Sequence, residues 1–442
     1  MPEGPAFAAQ GVYQFHHAHR VPQERDTTHA LRTRVRRATG IWVGGPPGLY
    51  SFMPPRHLYI HIPFCARRCS YCDFSIAVRA TTPVNEYLTA LRTELDGLRQ
   101  DLDGTILDTV YLGGGTPSRL GGVGIGDVLA AVRDRARIAD APEITIEANP
   151  DDVNDMAVAH WVSAGVNRVS LGSQSFDDAA LKWMHRTHDA SQIGQAVNTL
   201  RRGGIDNISL DLIFALPPHL RRSWESDLLR ALDLQPAHLS LYGLTVEAQT
   251  PIARWADRGV TVQGSEENYE EEFLCAHAMM TAAGYDHYEV SNFARPGMTS
   301  RHNSAYWTGA SYAGVGPSAH SFDGASRRWN VSAYSEWIRR LGVGQTVIAG
   351  EEKLTDENRV TEDVYLGLRT RRGLAIAEHE VGRIEPWEAA GWAVIDQPHE
   401  DPRVRLTATG WLRLDSLATD LAAQRGRPLS ASVGPNPSHC YI

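Results

Sequence analysis

Residues 57–74 read HLYIHIPFCARRCSYCDF, an extended apolar run that ends at Pro63 and is followed at once by Cys65, Cys69 and Cys72. Three of the chain's five cysteines thus stand within eight residues. The spacing C-x3-C-x2-C does not suit a four-ligand zinc site, because no fourth Cys or His lies close behind it and zinc frameworks usually pair two C-x2-C halves. It suits an iron–sulfur cluster held by three thiolates, which leaves one iron open. An open iron can take a small molecule, much as a catalytic zinc keeps a free position. The plain alternative is three buried, inert thiols, since free cysteine is often a small core hydrophobe. Their clustering directly behind a strand argues for the cluster.

At these residues the chain resembles the radical S-adenosylmethionine (SAM) superfamily, whose signature is this spacing with an aromatic before the last cysteine, as Tyr71 is here. The resemblance implies a 4Fe-4S cluster on Cys65, Cys69 and Cys72 whose open iron is chelated by the amino and carboxylate groups of SAM. It also implies a core that is an incomplete barrel of six β/α units.

Outward from this stretch, strand-like runs alternate with helical periodicity. The runs fall at 58–62, 109–112, 143–148, 168–172, 208–216 and 238–244. Between them, 85–100 and 126–136, and the stretches near 152–164, 189–203 and 223–234, carry apolar residues at three- and four-residue intervals. Alternating β and α units of about 30 residues imply right-handed crossovers and a parallel sheet, so the fold class is α/β. Periodicity alone leaves a partial barrel and an open doubly wound sheet both standing, and the resemblance selects the barrel.

The domain reading follows. Residues 1–54, with a His-rich FHHAHR and a basic LRTRVRR, read as a flexible N-terminal extension. Residues 55–300 hold the barrel, including an amphipathic helix over 265–284 with Cys275 as a core thiol. Residues 301–350 read as an aromatic, Gly-rich connecting segment, 351–423 as a small mixed domain of helices with a hairpin, and 424–442 as a disordered tail.

Composition excludes more than it assigns. With 42% hydrophobic and 21% charged residues among 442, the chain is ordinary for a globular protein of two or three domains. A net charge of −9 argues against a nucleic-acid partner. Five cysteines, three of them committed to one motif, exclude a disulfide scaffold and point to a reducing, cytoplasmic compartment. No apolar run approaches 18 residues and no apolar leader opens the chain, so neither a membrane span nor a secretory signal is expected.

In a parallel β/α architecture ligands gather at the C-terminal strand ends, and the informative residues fall there. After the second strand, YLGGGTPS places Gly114 and Gly115 where backbone must approach something closely, with Thr116 adding a hydroxyl; a tight turn alone would explain the glycines too. Glu147 in IEANP is placed to accept from ribose hydroxyls. SLGSQSF at the fourth run supplies Gln174, and Arg186 can clamp a carboxylate in a bidentate pair. Asp211 interrupts the apolar run ISLDLIFAL, where a buried acid needs a hydrogen-bonding task.

The strings YIHIPFC, CSYCDF, YLGGGTPS, IEANP, RVSLGSQSF and DLIFALP narrow the resemblance to the coproporphyrinogen dehydrogenase (HemN-like) branch of the superfamily. What the resemblance implies, residue by residue, is that Tyr59, Gly114, Gly115, Thr116, Glu147, Gln174, Arg186 and Asp211 contact SAM. It further implies reductive cleavage of SAM to methionine and a 5′-deoxyadenosyl radical.

Within that branch, the dehydrogenase carries a fourth cysteine two residues after the third, and Phe74 stands there in this chain. That departure is shared by the heme-chaperone subgroup similar to HemW. HNSAYW at 302–307 is similar to the HNxxYW motif of the same subgroup. The resemblance then implies heme as a ligand, His302 as its contact, and delivery to heme-accepting apoproteins of respiratory membranes. Imidazole is a common axial ligand, and Tyr306 and Trp307 offer flat surface to a macrocycle. A structural role for His302 and Asn303, fixing a loop by hydrogen bonds, is the alternative. The competing functions are oxygen-independent oxidative decarboxylation of coproporphyrinogen III to protoporphyrinogen IX and radical chemistry on an unrelated substrate.

Overall fold

The computed structural model describes residues 54–396 and 402–425. Six parallel strands lie side by side in chain order: β1 (His57–Ile62), β2 (Ile106–Gly114), β3 (Arg137–Ala148), β4 (Arg168–Gln174), β5 (Ile208–Phe214) and β6 (His238–Gly243). Helices α1 (Val84–Gly97), α2 (Gly121–Arg133), α3 (Asp155–Ser163), α4 (Ala190–Arg202) and α5 (Trp224–Asp233) make the crossovers. The alternation led to the parallel β/α units, and their arrangement is consistent with the incomplete barrel that the resemblance implied.

Local chemistry sets where the helices start. The side chains of Asn154, Asp189 and Ser223 accept from backbone N–H groups of the first turn, and Gln192 reaches back to the amide of Asp189. Each such cap contributes about 1 kcal/mol relative to alanine.

Strand alternation sorts the residues into two faces. Leu58, Ile60 and Ile62, Val110 and Leu112, Ile144 and Ile146, Val169 and Leu171, Leu210 and Leu212, and Leu239 and Leu241 join one large core with the helices. The residues between them, among them Tyr59, Tyr111, Glu147, Ser170, Asp211 and Ser240, lie on the other face, because successive side chains of a strand point oppositely. The barrel interior is therefore polar and aromatic, and the shell beneath the helices is aliphatic.

The sheet runs on past both ends of the barrel to twelve strands. Beyond β6, and after α6 (Glu266–Ala282), come the antiparallel strands β7 (Asp286–Glu289) and β8 (Asn292–Ala294), β8 lying next to β6. Beyond β1 lies β9 (Tyr312–Val315), a seventh parallel strand, followed by β10 (His320–Phe322), β11 (Ser326–Asn330) and β12 (Ile348–Lys353) in antiparallel order.

The stretch 301–350, expected to connect two domains, is thus woven into the barrel sheet. It also holds helices α7 (Arg301–Trp307) and α8 (Tyr334–Gly342). Its glycines serve this closeness: a Cβ on Gly314 would stand 2.0 Å from the His320 carbonyl oxygen, and one on Gly316 would stand 2.4 Å from that of His61. Trp337 on α8 is fully buried against Tyr87 and donates to Glu94 on α1 at 2.8 Å. Glu94 also accepts from Gly316 N and Asn330 Nδ2, so one buried carboxylate ties the barrel's first helix to this segment.

The C-terminal part comprises α9 (Asp356–Arg369), α10 (Val381–Ala389), α11 (Leu414–Arg425) and a small sheet of β13 (Leu374–Ala375), β14 (Ala393–Asp396) and β15 (Arg403–Leu406). It docks on β7 through a buried ion pair of Arg369 with Glu289 at 2.9 Å and a hydrogen bond from Arg371 N to the Tyr288 carbonyl. Gln424 and Arg425, read as the start of the tail, belong to α11. The N-terminal extension up to residue 53 and residues 426–442, Cys440 included, lie outside the described residues. No helix among the described residues is long and apolar enough to cross a membrane.

Candidate functional site

Pro63 ends β1, and Phe64–Cys65 then pairs in parallel with Ala77–Val78, so residues 66–76 close into a loop over the strand ends. The loop is pinned at several points. Nε2 of His61 lies 3.0 Å from the Ser75 carbonyl oxygen, Arg68 donates to the Cys72 carbonyl at 3.2 Å, and Ser70 bonds through its backbone to Met184 and Ile252. Cys65 is buried and Cys69 and Cys72 are partly so, and all three line one cavity of about 180 Å³. Burial pushes the Cys65 thiol up to about 11 and that of Cys72 to about 12. Without a bound cation both are protonated at neutral pH, so thiolate formation belongs to metal loading. Three thiols with no carboxylate or imidazole among them fit the donor chemistry of an iron–sulfur cluster.

The glycines after β2 are compelled by this loop. A Cβ on Gly114, whose φ is +112°, would meet the His61 ring at 2.7 Å, and one on Gly115 would meet the Pro63 carbonyl carbon at 2.6 Å. Gly114 and Gly115 therefore let the cysteine loop cross the strand end, and both line the cavity. Thr116 sets its hydroxyl 3.4 Å from the Cys65 sulfur.

Deeper in, two carboxylates come from neighbouring parts of the barrel. Glu147 accepts from the Tyr111 hydroxyl at 2.8 Å and from Gly114 N at 3.0 Å. Asp211 accepts from Ser170 at 2.9 and 3.0 Å and from Ser209 at 3.1 Å. Burial, reinforced by the charge of Asp211, pushes Glu147 up to about 7; burial also lifts Asp211 to about 6. Gln174 lines the same cavity with φ of +65°, a left-handed conformation unusual for a side chain of its kind, where β4 and β5 shift register. Strain of that sort is held where surrounding structure over-determines it.

Arg186 completes the wall. Nη2 donates to Asn149 Oδ1 at 2.5 Å and to the Gly172 carbonyl at 2.8 Å, and Nη1 donates to the Cys69 sulfur at 3.5 Å. Its Nε is buried without a hydrogen-bond partner. An orphaned guanidinium N–H beside three thiols fits an anionic or carboxylate-bearing ligand.

Ten of the expected residues, Cys65, Cys69, Cys72, Gly114, Gly115, Thr116, Glu147, Gln174, Arg186 and Asp211, thus share one cavity. Tyr59 and His302 do not line it. Tyr59 is buried one layer away, stacked on Tyr111 with centroids 6.1 Å apart.

His302 departs further from expectation. It sits not on an open loop but in the first turn of α7, only 1% exposed. Its Nδ1 lies 2.6 Å from the Thr109 hydroxyl and its Nε2 2.8 Å from that of Tyr306, while the ring stacks on Tyr111 at 5.0 Å. Both nitrogens are engaged, so in this arrangement His302 is a hydrogen-bonded packing residue. The start of α7 is held by Glu143, which accepts from the backbone amides of Arg301 and His302 at 2.8 Å, a carboxylate at the positive end of a helix.

Sequence reasoning passed over Tyr111, Ser170, Ser240, Tyr242 and Asn303, all of which line the cavity. The strand residues among them occupy the inward alternate positions, a signal legible once one inward residue is known. Asn303 had no such signal, because it reaches the cavity from α7.

The pattern of the Radical SAM superfamily matches residues 59–230. A Mycobacterium tuberculosis (strain H37Rv) protein named heme chaperone HemW is 36% identical over 384 residues, 85% of this chain and 97% of the relative. A Lactococcus lactis protein of the same name is 33% identical over 326 residues, 74% of this chain and 84% of its own length. Among solved structures, Escherichia coli coproporphyrinogen III oxidase (HemN), a radical SAM enzyme, superposes with a TM-score of 0.71 at 23% identity over 84% of this chain and 91% of that one, a likeness of fold.

Proposed function

The chain belongs to the heme chaperone HemW family of the radical SAM superfamily, and from that premise we propose that it binds heme and delivers it to heme-accepting apoproteins. The observation that carries this reading is the near end-to-end match with the mycobacterial relative, 97% of whose length is spanned.

In this reading Cys65, Cys69 and Cys72 hold a 4Fe-4S cluster and the cavity beside them takes SAM. When bound, the cluster supplies one electron at low potential to the sulfonium of SAM. The work of the chain's own residues is binding and orientation. Arg186, fixed by Asn149 and the Gly172 carbonyl, meets the carboxylate of the ligand; Glu147 and Asp211 accept from its hydroxyl and amino groups; Gly114 and Gly115 let the backbone come close. Tyr111 and Asn303 line the inner part of the same space. The recipients are proposed to lie at respiratory membranes, reached by the protein from the cytoplasm.

Oxidative decarboxylation of coproporphyrinogen is set aside because Phe74, which lines the cavity, occupies the place of the dehydrogenase's fourth cysteine. Two assays on one preparation test the proposal. Titration with heme is expected to give a saturable Soret shift, and an anaerobic incubation with SAM, reductant and coproporphyrinogen is expected to give no protoporphyrinogen. Robust decarboxylation without heme binding reverses the assignment.

A further inference from the structure

A second cavity, of about 570 Å³, opens between the end of α7 and the C-terminal part, away from the cysteine loop. Its size falls in the range of small-molecule sites, about 300–1,000 Å³. The wall on the barrel side carries Trp307, the last residue of HNSAYW, and Tyr288. Arg369 covers one side of the indole, its guanidinium carbon 4.2 Å from the ring centroid. The opposite wall is Leu366, Leu374 and Ala375.

Three guanidinium groups stand around this apolar slot, those of Arg371, Arg372 and Arg403. Arg371 is paired with Asp286, and Arg403 donates to the Gly373 carbonyl at 3.1 Å. Arg372 is exposed and has no hydrogen-bond or ion-pair partner among the described residues. One acid, Asp363, also lines the slot, so a ligand's negative groups must lie at the arginine end. On a chain of net charge −9 this concentration of cationic groups beside flat apolar surface selects for an anionic amphiphile.

Resting on the heme-chaperone reading, we infer that this cleft holds the tetrapyrrole, with the macrocycle against Trp307, Leu366 and Leu374 and its two carboxylates at Arg372 and its neighbours. The chemistry of the lining makes the inference specific. No imidazole, thiol or thioether lines the cleft among the described residues, and the Tyr288 hydroxyl is already within 2.8 Å of His238 Nε2. Recognition therefore reads the ring and its carboxylates and not the iron. A carrier that holds its cargo without strong axial ligation can also release it to an acceptor that supplies such ligands.

The test is a pair of titrations on the full chain, one with hemin and one with iron-free protoporphyrin IX, followed by Soret absorption and porphyrin fluorescence. Wild type is expected to bind both with affinities within about threefold of each other. Arg372→Glu is expected to weaken both by about tenfold or more, and Arg372→Lys to keep most of the affinity. Trp307→Ala is expected to weaken both as well. Arg372 is exposed, so its variants keep the fold, which circular dichroism verifies.

If wild type binds hemin but not the iron-free ring, axial ligation governs and the cleft is wrong. If both bind and Arg372→Glu and Trp307→Ala leave both affinities unchanged, the cleft is again wrong while the chaperone reading stands. If wild type binds neither, that reading falls and the inference falls with it.

Discussion

The Nη1 of Arg186 lies 3.5 Å from the sulfur of Cys69, so the cationic wall of the cavity and the cysteine loop are one unit although 117 residues separate them. The contact depends on a planar fork, since the other terminal nitrogen is spent on Asn149 and the Gly172 carbonyl. Lysine keeps the charge but cannot reproduce that fork. Arg186→Lys is therefore expected to keep its full iron content after anaerobic reconstitution and to bind SAM about tenfold more weakly, read by equilibrium dialysis. Unchanged SAM affinity removes Arg186 from the binding set.

Cys69→Ala is expected to lose the cluster's broad charge-transfer absorption and its iron, because a cluster with two protein ligands is labile. Cys275→Ala is expected to keep both, its sulfur lying on α6 against the Met279 sulfur at 3.7 Å. Equal iron in the two variants is the outcome that rejects the three-cysteine assignment.

Burial pushes Glu94 up to about 7 from an ordinary 4.5, despite three donated hydrogen bonds. The folded state then keeps a proton that the unfolded chain releases, so this group's contribution to stability is full below about 4.5 and is lost as pH rises through about 7. For a shift of this size the loss is about 3 kcal/mol. Glu94→Gln cannot titrate. It is expected to be destabilised relative to wild type in urea melts at pH 5, because its amide NH2 must face other N–H donors, and that gap is expected to narrow by about 2–3 kcal/mol at pH 8. The same gap at both pH values contradicts the elevated pKa.

His302→Ala removes a fully packed ring and takes one hydrogen bond each from the Thr109 and Tyr306 hydroxyls, Thr109 keeping His57 Nδ1 at 3.0 Å. Denaturant unfolding is expected to show a loss of about 2–4 kcal/mol. Heme titration below the unfolding midpoint is expected to give a Soret band like that of wild type. A lost or displaced band in folded protein restores His302 as an axial ligand.

The β/α units were legible because their signals are local, apolar runs, helical periodicity and punctuating glycines each readable within a few residues, whereas the barrel came from the resemblance. The strand Tyr312–Val315 was not legible, since its four residues YAGV carry little β signal and owe their conformation to pairing with His57–Ile60, distant in sequence but next to it in the sheet. The helix Arg301–Trp307 was hidden in the same way, its start being set by Glu143 from a distant strand.

In the site, the cysteine spacing and the residues at strand ends led to the cavity because the β/α architecture brings successive ends together. The motif around His302 was read as a loop, and it is a helix. On a helix, HNSAYW sends its members different ways: His302 into the packing beside Tyr111, Asn303 into the inner cavity, and Trp307 into the cleft.

The central claim, that this chain carries heme to other proteins, is tested most directly by transfer. The purified chain, loaded with one equivalent of hemin and freed of excess, is mixed with an apo-hemoprotein whose filled form has a distinct Soret maximum, and the band is followed in time. The account predicts that the acceptor's band appears at the expense of the chain's own, faster than from hemin left on an unrelated carrier such as albumin. Hemin that never loads, or that stays on the chain while the acceptor remains empty, contradicts it.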